Sequence, residues 1–202
     1  MRKLYENIED ININGCPSDL TTVISAMDIS LQNISDGTEQ LTAKLIKYSE
    51  SNKGTQFERV IRRLVNLSDV LYQASVDLNV MQNEIVAYQN KIFRYEDMAE
   101  LATVPNPHMV QRININVETY VVQFNRAEMM SVAAELQNYR DAVFYHVRNL
   151  VENKNQVGYI WHDSQYKIFA EFIDEICNEI VDALKLFDEY ILVLEEKIKE
   201  LS

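Results

Sequence analysis

Glycine and proline are scarce, with 4 Gly and 3 Pro in 202 residues. A β-sandwich or barrel needs many tight turns, so this scarcity excludes both and leaves long helices. Cysteine is nearly absent. Cys16 and Cys177 lie far apart, the second inside an apolar helical pattern; two reduced thiols are the expectation and a disulfide the alternative. No run of about 18 apolar residues occurs, so no membrane insertion is expected. Positive charge is also short, 19 Lys and Arg against 31 Asp and Glu, giving a net charge of −12. That balance disfavours nucleic acid and anionic membranes as partners. The opening residues, Met1-Arg2-Lys3-Leu4-Tyr5-Glu6-Asn7, are basic but lack the apolar stretch of a signal peptide. A cytoplasmic protein is expected, with export without a cleaved signal peptide left open.

Against these absences stands one strong pattern. Phe57, Val60, Leu64, Leu67, Leu71, Ala74, Leu78, Met81, Ile85, Tyr88, Ile92 and Tyr95 follow one another at spacings of three and four. Such spacing keeps one stripe of a helix facing a partner helix. Thr55 and Glu58 form a capping-box pattern at its start. The same rhythm returns in Tyr166, Phe169, Ile173, Ile176, Ile180, Ala183, Phe187, Tyr190 and Leu194, before Lys197 interrupts it ahead of Leu201. Each position lies 109 residues after its counterpart, as Phe57 to Tyr166 shows.

Carried backwards, that offset pairs the helix through Leu20, Ile24, Met27 and Leu31 with one through Met129, Ala133, Leu136 and Arg140. An internal repeat of two hairpins accounts for this, although any two heptad hairpins would align at some offset. Ile11-Asn12-Ile13-Asn14 recurs as Ile113-Asn114-Ile115-Asn116 ahead of the second pair. Alternation of this kind suits an extended segment, either as paired short strands or as arms along the bundle. Pro105 and Pro107 mark the one clear linker, because each proline disfavours helix at the residue before it. Ser35-Asp36-Gly37 looks like a turn, yet the seam runs through it, so a continuous helix is expected there.

The chain therefore reads as all-α. Two tandem antiparallel hairpins form an elongated four-helix bundle, with a short extended ININ segment before each. The repeats occupy 1–99 and 113–202, joined by the linker 100–112. Helices are expected at about 18–50, 55–98, 126–155 and 164–201.

Catalytic chemistry is not visible. A carboxylate-bridged metal site in such a bundle needs Glu three residues before His. The residues in that position before His108, His146 and His162 are Pro105, Val143 and Tyr159. No phosphate-binding glycine loop and no nucleophile elbow occurs. A non-enzymatic protein without a cofactor is expected.

The most informative local feature is Trp161-His162-Asp163, between the third and fourth helices and followed by Phe169. Trp161 is the only Trp. It is expected either to close a bundle end, against Phe169 or the other hairpin, or to sit exposed in the loop. Asp163 is placed to cap the fourth helix. The corresponding loop of the first half is Asn52-Lys53-Gly54.

A Trp in the turn before a long amphipathic helix resembles the WXG-type helical hairpins of type VII secretion systems, here as a tandem fusion. That family has Gly where Asp163 stands, and its export signal sets Asp or Glu four residues after a Tyr. Tyr190 is followed at that distance by Leu194, and Tyr95 by Ala99. The resemblance implies a non-enzymatic interaction module that pairs with a helical partner. The alternative is a coiled-coil scaffold or phage-type structural protein.

The fourth helix carries apolar residues on both flanks of its seam, with Leu184, Ile191 and Ile198 on one side and Leu186 and Val193 on the other. These five are the candidate interface, through which the protein binds a helical partner or itself. The competing explanation is that this helix is simply the most central one in the bundle.

Overall fold

The apolar rhythm folds into four helices, and the turns between them fall where the seams break. The structure is a computed structural model and describes residues 10–200. The basic Met1–Asn7 segment and Leu201 lie outside the described residues. Helix α1 spans Leu20–Ser49, α2 Thr55–Tyr95, α3 Arg126–Val157 and α4 Ser164–Glu200, after a single 3-10 turn at Pro17–Asp19. Helix α1 runs unbroken through Gly37. The described residues contain no strand, only two isolated β-bridges.

Helix α1 packs on α2 and α3, and α4 packs on the same two, so α1 and α4 lie on one diagonal. Neighbours are antiparallel throughout. Thr38 bonds Tyr139 across α1 and α3, Arg140 bonds Asp188 across α3 and α4, and Gln82 bonds the Ile24 carbonyl across α2 and α1. Seam residues from all four helices join one continuous core.

Because α2 ends at one end of the bundle and α3 starts at the other, residues 96–125 must travel its whole length without helix. Polar side chains on α1 and α2 hold this crossover. Ser35 Oγ donates to the Met109 carbonyl at 3.0 Å, and Asn79 donates to that of His108 at 2.8 Å. Ser75 Oγ accepts from the Val110 amide and Ser68 Oγ from the Ile113 amide. Asn90 both donates to and accepts from the Ala102 backbone. A buried backbone group without a partner is costly, so these bonds let Val110 and Ile113 sink into the core. Ser68, Ser75, Gln82 and Gln89, seven apart, look like a solvated flank in sequence, but all four are buried. They face the crossover, α1 and the 3-10 turn.

The extended segments clasp the turns of opposite hairpins. The N-terminal Asn12–Asn14 stretch pairs with the α3–α4 turn, as Asn14 N donates to the Ile160 carbonyl and His162 N to that of Asn12. The end of the crossover pairs with the α1–α2 turn, with Lys53 N bonded to the Gln123 carbonyl and Gly54 N to that of Glu118. The expected capping box is corrected here. Thr55 is the first residue inside α2, Gly54 takes the cap position with φ of 106°, and Glu58 pairs with Arg62 instead.

Candidate functional site

Three of the four turn residues picked out in the sequence meet at one end of the bundle. Trp161 is fully buried and lies 5.1 Å from the Tyr88 ring of α2 and 5.6 Å from Phe169 of α4, stacked on both. Its indole N–H donates to Asp163 Oδ1 at 2.7 Å. The same oxygen accepts from the Gln165 amide at 2.9 Å and the Tyr166 amide at 3.3 Å, which caps α4. Asp163 Oδ2 accepts from the Tyr88 hydroxyl and from the Asn12 amide. A buried carboxylate with five donors is fully satisfied, so this cluster is a plug that ties α2, α4 and the N-terminal segment together. Burial, and then the neighbouring Asp163, raise the Tyr88 pKa far above its ordinary value. Nothing local in the sequence links Tyr88 to Asp163, 75 residues apart, so this partnership exists only in the folded chain.

Gly54 stands at the opposite end. Its neighbour Asn52 is buried and bonds the Tyr48 carbonyl, Glu128 and the Asn125 amide. Beside this turn a cleft of about 370 Å³ opens between Phe57, Val122, Phe124, Met129, Leu194 and Ile198.

The five candidate interface residues of α4 separate. Leu184, Ile191 and Ile198 are buried in the core, so they are not available to a partner while the bundle is folded. Leu186 and Val193 are 60 % and 47 % exposed. They belong to a stripe of spacing three and four, Glu175, Glu179, Asp182, Leu186, Tyr190 and Val193. The stripe runs along the outer edge of the α2–α4 contact. Met81 of α2 lines a cleft with Phe172 and Glu175, and Arg59, Arg63 and Asn66 line another with Tyr190. Burial raises the Tyr190 pKa, and the nearby Arg59 and Arg63 act against that shift.

Other titratable groups have plain packing roles. Burial pushes the Cys177 thiol up to about 12, far from the reactive range, while Cys16 is exposed. Burial lowers the His146 pKa. Among the described residues no group of three or more His, Cys, Asp or Glu is placed to hold a metal ion, and no helix is long and apolar enough to cross a membrane.

No protein-family model matches the chain, and no curated protein matches it. Among solved structures the chain is similar to the crystal structure of an archaeal Dps homologue from Halobacterium salinarum, with 17% identity, a TM-score of 0.37 and 93% of each chain covered. At that level the likeness says nothing of what this chain does.

The WXG-type resemblance is corrected on these findings. No protein-family match supports the resemblance. The physical reason lies in the Trp161 turn. Trp161 and Asp163 form a buried plug completed by Tyr88 of the other hairpin, not the tip of a self-standing hairpin. The secretion role falls with it, and the alternative of a coiled-coil scaffold or phage-type structural protein finds no support in a family or curated match either.

Proposed function

We propose that the chain works by binding another protein through the outer stripe of α4, without catalysis and without a cofactor, in a reducing cytoplasm. One observation carries this reading. Leu186 and Val193 stand exposed on either side of half-buried Tyr190, on a helix whose opposite side is already core. Scattered exposed aliphatics are ordinary, but neighbours on one stripe form a continuous apolar strip that association would cover. The net charge of −12 speaks for a protein partner over nucleic acid.

The test is a photo-crosslinking residue at position 186, with a control at Ile29 of α1, which is also exposed. Protein adducts at position 186 and none at position 29 are expected in the native cell. Equal behaviour of the two positions overturns the reading.

A further inference from the structure

Charge along the α2–α4 edge is arranged in two blocks of opposite sign. Towards the Gly54 end, a cleft of about 710 Å³ sets Arg59, Arg62 and Arg63 of α2 beside Tyr190 of α4. Arg62 pairs with Glu58, whereas exposed Arg59 and Arg63 form no ion pair among the described residues. Towards the Trp161 end, Glu175 and Glu179 of α4 are exposed and equally bare among the described residues. Asp77 of α2, one turn from the Met81 that shares a cleft with Glu175, adds a carboxylate at that level and accepts from Gln73 at 3.1 Å.

These charges do not serve the helices that carry them. Arg59 and Arg63 are like charges four residues apart, as are Glu175 and Glu179. Such pairs repel across one turn and weaken a helix. Most other exposed cations of the described residues are paired. Beside the arginines runs the apolar strip of Leu186, Tyr190 and Val193, with the spacing of four and three that places one helix face against another helix.

Resting on the reading that the α4 stripe binds a protein, we propose that its occupant is an amphipathic helix of a different protein, seated along the α2–α4 groove with charges in the opposite order. Its carboxylates meet Arg59 and Arg63, its apolar residues cover Leu186 and Val193, and its cations meet Glu175 and Glu179. Opposite potentials fix the register, and the apolar strip supplies burial. From Glu179 to Tyr190 is eleven residues, about 16 Å, so the occupant's acidic and basic groups stand about three turns apart. A helix favours carboxylates in its first turns and cations in its last. The occupant's N-terminus therefore belongs at the Gly54 end, and it runs parallel to α2. A second copy does not meet this demand, because two-fold docking of the edge lays α4 over α4 and sets its apolar strip against carboxylates.

The test places a photo-crosslinking residue at position 186 or 193 in the native cell and maps the joined partner segment by mass spectrometry. The segment at position 186 is expected to carry Asp or Glu on its N-terminal side and Lys or Arg on its C-terminal side. Adducts from position 193 should map about two turns nearer its N-terminus. Arg59→Glu with Arg63→Glu, and separately Glu175→Lys with Glu179→Lys, should each cut the adduct yield at position 186 roughly tenfold or more. Reversing both blocks and exchanging the charges of the mapped segment should restore the yield. All four sites are exposed, so circular dichroism should show unchanged helix content.

A yield that neither double variant lowers, a mapped segment without that charge order, or a segment of this chain itself overturns the charge-matched helix and leaves the binding surface standing. Adducts from position 193 that map nearer the C-terminus overturn the parallel setting. A wild type in which position 186 gives no more adducts than position 29 removes the binding surface, and this inference with it.

Discussion

The two ends of the bundle carry out one task with different chemistry. At the α3–α4 turn, three aromatic rings surround Trp161, and one carboxylate takes five donors. At the α1–α2 turn, a buried amide, Asn52, and a glycine of positive φ take the same place, and an apolar cleft remains open beside them. Each turn is clasped by an extended segment from the opposite hairpin. The comparison teaches that a bundle end can be closed by side-chain volume or by backbone fit. Volume buries the turn itself, with a cleft of about 750 Å³ left beside the N-terminal segment between Ile11, Ile13, Ile92 and Met98, whereas backbone fit leaves the cleft of about 370 Å³ against the turn.

The largest effect should follow removal of the plug. Trp161→Ala is expected to lose about 3–5 kcal/mol in denaturant unfolding, because the ring is wholly buried and its stacked neighbours cannot all collapse inward. A loss under about 1 kcal/mol would equalise the two ends and remove the contrast.

Asp163→Ala comes next, at about 3 kcal/mol, since it strips the Trp161 and Tyr88 donors and the cap of α4 together. Hydrogen exchange at the Gln165 and Tyr166 amides should rise while the centre of α4 stays protected.

At the open end, Gly54→Ala tests backbone fit. A Cβ there would meet the Val121 carbonyl at 3.3 Å, with φ at 106°. The expected cost is about 1–3 kcal/mol. Val122→Ser, on the rim of the cleft and 88 % exposed, should change stability by less than about 0.5 kcal/mol.

Alkali provides a reading that does not depend on either end alone. Burial raises the Tyr139 pKa to about 12, against the hydrogen bond with Thr38, which lowers it. A raised folded pKa contributes stability in full below the unfolded value of about 10, and that stability is lost as pH climbs towards about 12. Stability should therefore fall over that window by up to about 1.4 kcal/mol per pH unit for this one group. Tyr139→Phe should flatten the slope in pH-dependent urea melts, and an unchanged slope would show that Tyr139 does not drive the loss.

Helix positions were legible because seam spacing is a local property. Apolar residues every three or four places specify which face turns inward, whatever lies opposite. The expected 126–155 and 164–201 compare with Arg126–Val157 and Ser164–Glu200. The flanks were less legible. Ser68 and Ser75 read as solvated although both are buried, because their partner is backbone some 35 to 45 residues away that carries no periodic signal. Leu184 and Leu186 looked equivalent as flank residues, and only packing against α3 and α2 put one in the core and the other in solvent.

Composition and periodicity by themselves determined an all-helical chain of four long helices, since few glycines and prolines allow few turns and a continuous seam demands a helical partner. They also determined that α4 has more apolar surface than one groove can take. The tertiary structure alone decided which helices are neighbours, how the crossover lies between α1 and α2, and that Asp163 meets Tyr88. Those contacts join residues far apart in sequence, and their energy depends on burial and on distances that exist only after the helices have packed.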